Sequence, residues 1–223
     1  MVKRLTIAMD GPAGSGKSTV ARSIAEALDY VYLNSGSMYR AMTLFSIQEG
    51  VDPTDEIRLI ALAKRCQIEF SDNGQTTLLN GTDVSKQIRT PAIEEKIIAI
   101  ARIPALRQEM VYQQRRIASE GGVVAEGRDT TTVVLPEADL KFYVTASVEE
   151  RAKRRFQELQ SKGIDCSEQQ IAREIQERDM ADQSREHSPL KMAEDAIVVD
   201  TTNLTTDEVI TFMLTQIEQR SLC

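Results

Sequence analysis

The sequence contains no tryptophan and one histidine, and only 4% of its residues are aromatic. Because large rings are scarce, we expect the core to consist mainly of Ile, Leu, Val, Ala and Met. The three cysteines, Cys66, Cys166 and Cys223, lie far apart and form no CxxC pair. This spacing argues against a disulfide framework and a zinc site, so we interpret them as buried or incidental thiols of a reducing compartment.

The sequence also has no long apolar run near its N-terminus. The first apolar run ends at Asp10 and is too short for a signal sequence or a membrane span. The 223 residues carry a net charge of -7, which disfavours non-specific binding to nucleic acid or to an anionic membrane. We therefore expect a cytoplasmic protein, monomeric, that binds small molecules and has neither a nucleic-acid polymer nor a membrane as partner.

Short apolar segments alternate with segments of helical period along most of the chain. Strands are predicted over 5–9, 31–33, 123–125, 140–144 and 196–199, and helices over 37–47, 54–65, 103–119, 149–183 with a break near Gly163, and after Thr205. Thr54 is the expected N-cap of its helix, and Ser167 with Gln170 and Thr205 with Glu208 have capping-box spacing. This alternation predicts a mainly parallel sheet with helices on both faces.

A different pattern interrupts this alternation between 67 and 85. Apolar residues recur there with a period of two, a turn is predicted at 72–74, and Asn80-Gly81 is a strong hairpin signal. We predict a small antiparallel sheet inserted between helical segments.

The most specific motif is Gly11-Pro12-Ala13-Gly14-Ser15-Gly16-Lys17-Ser18, which fits G-x-x-x-x-G-K-[ST] between a predicted strand and a predicted helix. Its glycines allow successive N–H groups to face phosphate oxygens, and the following helix adds its positive N-terminal end. Lys17 is expected to reach the β and γ phosphates, and the Ser18 hydroxyl to ligate Mg²⁺. The motif predicts a bound nucleoside triphosphate without defining the reaction.

The motifs of GTP-binding switch proteins, N-K-x-D and D-x-x-G, do not occur in the sequence. Arginines are instead spread along segments that can fold over a phosphate site: Arg40, Arg107, Arg128, Arg151, Arg154, Arg155, Arg178 and Arg185. Phosphoryl transfer depends on aligning two anionic substrates and neutralising charge, and guanidinium groups suit that task.

Arg178, Asp182 and Arg185 share a helix face if their helix continues through them. Two interpretations of this face remain equally open. It belongs either to the phosphate site or to a solvated, salt-bridged surface.

Four stretches together resemble bacterial cytidylate kinases, from the first strand to the last helix. They are 11–19, Asn34-Ser-Gly-Ser-Met-Tyr-Arg40, Glu126-Gly-Arg-Asp129 with Val133-Val134, and Arg178-Asp179 through Arg185. The resemblance implies a P-loop α/β fold with a five-stranded parallel core sheet, an acceptor-binding insert with a small antiparallel sheet, and a helical lid. It also implies ATP and Mg²⁺ as cofactors.

Residue roles follow from the resemblance, position by position. It implies that the donor nucleotide is bound by Gly11 to Ser18 together with Thr19 and Arg154. The residues that it implies for binding of the acceptor nucleotide are Ser35, Arg40, Arg107, Arg128, Asp129, Arg178 and Asp182. The catalytic residues that it implies are Lys17, Arg128 and Arg185. A carboxylate such as Asp129 suits the cytosine 4-amine, because uracil presents an acceptor oxygen at that position. An arginine-pairing or magnesium-shell role for Asp129 stays open.

The sequence departs from the family pattern at four places. Asn34 and Glu126 stand where Asp is usual, Thr130-Thr131 replaces Met-Gly, and Ile98 aligns with a serine that commonly helps to bind cytosine. These changes fall near the acceptor base and leave the phosphate machinery intact.

The expected activity is ATP-dependent phosphorylation of CMP and dCMP. The expected single kinase domain divides into a core (1–35, 96–149 and 189–223), an acceptor-binding insert (36–95) and a lid (150–188). Kinases for UMP, AMP or shikimate, and a non-catalytic nucleotide-binding protein, are the alternatives.

Overall fold

A computed structural model describes residues 4–161 and 163–221, so Cys223 lies outside the described residues. Within these ranges the strands are β1 (Thr6–Asp10), β2 (Val31–Asn34), β3 (Ile68–Ser71), β4 (Thr76–Leu79), β5 (Thr82–Asp83), β6 (Val123–Gly127), β7 (Leu140–Thr145) and β8 (Ile197–Asp200). Five of them form a sheet in the order β2-β6-β1-β7-β8, and every neighbouring pair is parallel. This confirms the predicted parallel sheet.

The helices of the same ranges flank these strands. They are α1 (Lys17–Leu28), α2 (Ser35–Gln48), α3 (Glu56–Ala63), α4 (Pro91–Ile100), α5 (Pro104–Ala118), α6 (Val148–Ser161), α7 (Glu168–Gln183) and α8 (Thr206–Ser221). None of the helices in the described part of the chain combines the length and apolarity that crossing a membrane requires.

Helices cover both faces of the parallel sheet, and alternate residues of β6 show this directly. Val124 packs in a cluster with α1 and α8, whereas Val123 and Ala125 pack in a second cluster with α2, α3 and α5. Successive side chains of a strand point to opposite faces, so a central strand with two covered faces is mostly apolar. All five residues of β6 are buried, and Glu126 is the one charged residue among them.

The predicted small sheet is also present, with β3, β4 and β5 antiparallel. Asn80 and Gly81 form the tight turn between β4 and β5 with φ of 49° and 79°. Positive φ at both positions matches the right-handed twist of the strands that the turn connects, which is why Asn-Gly predicts it well.

Several local expectations were wrong. The side chain of Asp55, not Thr54, caps α3 by accepting a hydrogen bond from the Arg58 N–H. Ser167 precedes α7 without a side-chain cap. Helix α4 was not predicted, although Pro91 at its first position is a recognised start signal.

The capping box of Thr205 and Glu208 is confirmed, with hydrogen bonds in both directions.

Candidate active site

The phosphate loop leaves β1 at Asp10 and enters α1 at Lys17, as the motif requires. Gly14 and Gly16 have φ of 78° and 85°, a left-handed conformation that favours glycine. Gly11 is restricted by space as well, because a Cβ atom there would lie 1.9 Å from the Val144 carbonyl oxygen on β7. The loop backbone is therefore pressed against the core sheet.

Lys17 lies inside the loop with its ammonium group buried. Its Nζ donates a hydrogen bond of 3.0 Å to the carbonyl of Pro12. Burial, followed by the charge of Arg128, lowers the pKa of Lys17 to about 7, because the charged form loses water without gaining a carboxylate partner. An anion beside Nζ would restore the charged form.

Contacts from distant segments hold the loop in place. Arg151 of α6 donates to the Ala13 carbonyl at 3.1 Å and to Asp179 of α7 at 2.6 Å. Thr201, just beyond β8, donates to the Ser15 carbonyl at 3.1 Å, and Arg154 contacts Thr201 through two nitrogens. Sequence reasoning missed Thr201 and assigned no contact to Asp179, since no local pattern links positions so far apart in the chain.

Ser18 and Thr19 are exposed at the end of the loop. The Ser15 side chain differs, since its Oγ is buried without a hydrogen-bond partner in the described residues. No group of three or more His, Cys, Asp or Glu residues within 4–161 and 163–221 could hold a metal ion.

A buried ion pair lies beyond the end of β6, the strand next to β1. Arg107 of α5 donates to Oδ2 of Asp129 at 2.5 Å, and both side chains are more than nine-tenths buried. Oδ1 of Asp129 accepts no hydrogen bond from the described residues. Arg107 also lies 5.2 Å from the ring centre of Tyr39, and the Tyr39 hydroxyl and the Arg107 Nε are buried without hydrogen-bond partners in the described chain.

Asp10 connects the phosphate loop to this region. Its carboxylate accepts hydrogen bonds from the N–H groups of Thr130 and Thr131 at 2.8 and 2.7 Å, and from the Thr131 hydroxyl at 2.6 Å. Complete burial raises the pKa of Asp10 despite these bonds. The two threonines begin a π-helical turn, Thr130–Val134, so Asp10 fixes the segment that immediately follows Asp129.

Asp182, near the end of α7, joins two of the predicted site arginines. Its Oδ2 accepts from Nε of Arg128 at 2.7 Å, and its Oδ1 accepts from Arg185. Arg185 lies beyond α7, which ends at Gln183, but it remains in contact with Asp182. Arg178 makes no hydrogen bond or ion pair within the described ranges, and burial together with the Arg128 charge lowers its pKa.

Arg40 completes the cluster from α2, where its Nε donates to Glu94 of α4 at 2.7 Å. Four of the five arginines 40, 107, 128, 178 and 185 are paired, with the three carboxylates Glu94, Asp129 and Asp182, and Arg178 has no ion pair within the described residues. The region has an excess of positive charge in a protein with an overall charge of -7. A local excess of this kind attracts anionic ligands.

Two of the residues that depart from the family pattern, Asn34 and Glu126, belong to one hydrogen-bond network. Glu126 accepts hydrogen bonds from the Tyr32 hydroxyl at 2.5 Å and from Nδ2 of Asn34 at 2.6 Å. Asn34 also caps α2 by accepting from the Ser37 N–H at 2.8 Å, which places the buried Ser35 next to Gly127. Ile98 does not join this network, because it is 59% exposed on α4.

The fold and the site together define a P-loop α/β nucleotide-binding protein, with a phosphate loop at one strand end and a cationic cluster beside it. A solved protein of Eubacterium ventriosum ATCC 27560, described as uncharacterized, has the same fold with a TM-score of 0.53 and 12% identity. The match covers 96% of this chain and 99% of that chain.

Sequence comparisons define the family within this class. The family model described as cytidylate kinase matches residues 7–219. The cytidylate kinase of Bacillus subtilis (strain 168) is 48% identical over 99% of this chain and its own full length. The cytidylate kinase of Desulforamulus reducens is 46% identical over 98% of this chain and 99% of that protein. The chain belongs to the cytidylate kinase family.

Proposed function

We propose that this protein transfers the γ-phosphoryl group of ATP to CMP or dCMP, forming ADP and the corresponding diphosphate. The observation that carries the proposal is the position of the arginine cluster relative to the phosphate loop. The loop follows β1 and the segment of Arg128 and Asp129 follows β6, and these strands are parallel neighbours. Donor and acceptor phosphates bound at these two segments would meet at one edge of the sheet.

The donor site consists of the loop Gly11 to Ser18, with Thr19 and Arg154 at its border. Loop N–H groups and the buried Ser15 hydroxyl would bind phosphate oxygens, while Lys17 would neutralise the β and γ phosphates. Arg154 is held against Thr201 and the loop, which suits a role at the nucleotide rather than at the acceptor.

Magnesium fits this site through the exposed Ser18 hydroxyl at the loop's end. The bound ion would supply charge neutralisation on the phosphates. The described residues around Ser18 need contribute little more than this hydroxyl, since Mg²⁺ usually retains several waters and binds together with phosphate oxygens.

The acceptor base is assigned to Asp129. Arg107 holds Oδ2 of this carboxylate, and the remaining Oδ1 can accept the cytosine 4-amine hydrogen bond. Uracil would bring an acceptor oxygen to the same buried carboxylate, which is unfavourable. The Tyr39 hydroxyl and the Arg107 Nε are further polar atoms that the described protein leaves unpaired and that a nucleotide could satisfy.

Arg128 and Arg185 are assigned to the transferring phosphoryl group. Asp182 orients both guanidinium groups and ties the segment after α7 to this helix. The remaining cationic and polar groups, Ser35, Arg40, Arg178 and Asp182 itself, are assigned to the acceptor's phosphate and sugar. No strong general base is needed, because the acceptor phosphate is already an anionic nucleophile at neutral pH.

The proposal includes the division of the chain into a core (1–35, 96–149 and 189–223), an acceptor-binding insert (36–95) and a lid (150–188). Arginines of the lid contact both the loop and Arg128's partner Asp182, so closing the lid would complete the site and exclude water. We also propose a monomeric cytoplasmic enzyme that binds neither nucleic-acid polymers nor membranes, in keeping with its acidic composition.

The test is ADP formation from MgATP with CMP, dCMP, UMP and AMP as acceptors, using the wild-type protein, Asp129→Asn and Asp129→Ala. Wild type should favour the cytidine nucleotides by a factor approaching about 10⁴, because the wrong base leaves buried polar groups unpaired. The amide of Asp129→Asn can donate to uracil, so this variant should gain activity with UMP relative to CMP. Asp207→Ala, on the exposed first turn of α8, is the matched control and should keep the wild-type ratio.

Three outcomes would overturn the proposal. UMP as good as CMP in wild type would refute the role of Asp129. ADP formation with none of the four nucleotides would refute the kinase reaction. Rapid ATP hydrolysis without any acceptor would refute closure around the donor.

A further inference from the structure

A polar cavity of about 350 Å³ lies between the parallel sheet and the small sheet, apart from the residues assigned above to either substrate. Arg22 of α1 and Tyr32 of β2 form its wall on the side of the parallel sheet. Thr77 of β4 and Arg89, at the end of a short 3₁₀ turn, form the opposite wall. The volume falls at the lower end of the range for small-molecule sites.

The walls of the cavity are set by close backbone packing. A Cβ atom on Gly74 would lie 2.0 Å from the Tyr32 carbonyl oxygen, so the turn before β4 rests directly on β2. Asn73 adds a hydrogen bond of 3.2 Å to Asp29 after α1. The cavity is therefore preformed, and a ligand would not have to organise the chain around it.

Hydroxyl and amide side chains are among the residues that line the cavity. Ser37 and Thr77 are only 5% and 4% exposed, and Gln75 is exposed. These side chains can donate hydrogen bonds to a polar ligand.

The charge of the lining is positive. Arg22 and Arg89 form no ion pair within the described residues, and no carboxylate is among the described residues that line the cavity. Two lining side chains donate hydrogen bonds to carboxylates, Ser85 to Asp83 and Tyr32 to Glu126. Guanidinium groups and hydroxyls together form a donor set suited to a phosphate group.

From these observations we propose that the cavity is a second anion site, which binds a small molecule carrying a phosphate group between Arg22 and Arg89. The occupant joins the small sheet to α1 and contacts the Tyr32 side chain, over whose ring Arg22 lies at 5.6 Å. The Tyr32 hydroxyl donates to Glu126 at 2.5 Å, so the cavity is one side chain away from the network beside the phosphate loop.

The experiment is a titration of the isotope-labelled protein followed by NMR, with inorganic phosphate in one arm and ribose 5-phosphate in the other. The Gly74 amide and the side-chain Nε–Hε groups of Arg22 and Arg89 report on the cavity. The Gly14 and Gly16 amides report separately on phosphate at the loop. We expect saturable shifts of the cavity signals with a midpoint below about 10 mM, which corresponds to weak but specific binding.

Arg22→Gln and Arg89→Gln should each weaken the cavity response by at least about fivefold while leaving the loop response unchanged. Arg116→Gln, at an exposed position of α5 outside the cavity, is the matched control and should behave as wild type. Tighter binding of ribose 5-phosphate identifies a phosphorylated metabolite as the occupant, and equal or weaker binding identifies free phosphate.

Either order of affinities supports the site. Shifts that grow linearly without saturation, or cavity shifts that persist equally in Arg22→Gln and Arg89→Gln, would overturn it. Because the readout is binding and not turnover, this result is independent of the outcome of the acceptor panel.

Discussion

Binding of ATP should make the protein take up a proton at Lys17. In the free protein, burial lowers the pKa of this ammonium group to about 7, and its only hydrogen-bond acceptor in the described chain is the neutral Pro12 carbonyl. The lowering from 10.5 corresponds to roughly 5 kcal/mol against the charged form. Phosphate oxyanions beside Nζ stabilise the charged form and return the pKa to at least its ordinary value.

The size of the effect follows from these two pKa values. At pH 8.5 free Lys17 is about 3% protonated, and bound Lys17 is about 99% protonated, so about 0.95 proton is taken up per nucleotide. At pH 6.0 the free side chain is already about 90% protonated, and uptake falls to about 0.1. Lys17 takes up protons on binding at both pH values, because its pKa is higher in the complex than in the free protein.

Isothermal titration calorimetry in buffers of different ionisation enthalpy measures this uptake. The slope of the apparent binding enthalpy against buffer ionisation enthalpy gives the number of protons exchanged. ATP phosphates contribute little at pH 8.5, since phosphate groups of this kind are ionised well above pH 6. The measurement therefore isolates the protein's own titration.

Lys17→Arg provides the control, because a guanidinium stays charged at both pH values and should show uptake close to zero. We expect this variant to bind the nucleotide more weakly, so it is titrated at a higher nucleotide concentration. Uptake below about 0.3 proton at pH 8.5 in wild type would show that Lys17 is already charged without ligand, and the reasoning from burial would be refuted.

Three further predictions concern stability and reactivity. Asp10→Ala removes the acceptor of three buried hydrogen bonds and should lower the free energy of unfolding, measured with urea, by at least about 3 kcal/mol. A loss under about 1 kcal/mol would contradict the stabilising role of Asp10. Gly74→Ala should cost more than about 3 kcal/mol in the same assay, because its Cβ would lie 2.0 Å from a carbonyl oxygen. Gly50→Ala also has positive φ but opens onto free space, so about 1 to 2 kcal/mol is expected, and equal losses would count against the packing argument. Burial raises the pKa of Cys66 to about 12, so iodoacetamide at pH 8 should label the half-buried Cys166 and leave Cys66 unlabelled until urea is added. Peptide mass spectrometry measures the labelling of each cysteine. Equal labelling of the two cysteines in the folded protein would refute the burial of Cys66.

Local sequence patterns predicted much of the fold because they reflect local geometry. Asn80-Gly81 has the positive φ angles of a tight hairpin, and the Thr205 and Glu208 capping box forms as its spacing suggests. The same reasoning failed at Ser167, where capping-box spacing is present but the side chain does not cap α7. A capping motif gives a helix start only a modest preference, and tertiary contacts decide whether its hydrogen bonds form.

The pairing of charges in the site could not be predicted from spacing. Arg178, Asp182 and Arg185 suggested one shared helix face, yet α7 ends before Arg185, and Asp182 turns inward to Arg128 from 54 residues away. Such a contact depends on how α7 lies against the end of β6. No periodicity in the sequence indicates how closely these two elements approach each other.

The sequence alone determined the strand–loop–helix unit around Gly11 to Ser18, and it predicts that a nucleotide's phosphates bind there, because glycine geometry, a lysine and a helix start follow one another without a gap. It also determined the parallel sheet, through buried apolar strands separated by helices. The tertiary structure decided which charges neutralise one another. The burial of Lys17 and Asp10, and the ion pairs of Asp129 and Asp182, depend on segments that the chain brings together across the sheet. Desolvation exists only once those segments have packed.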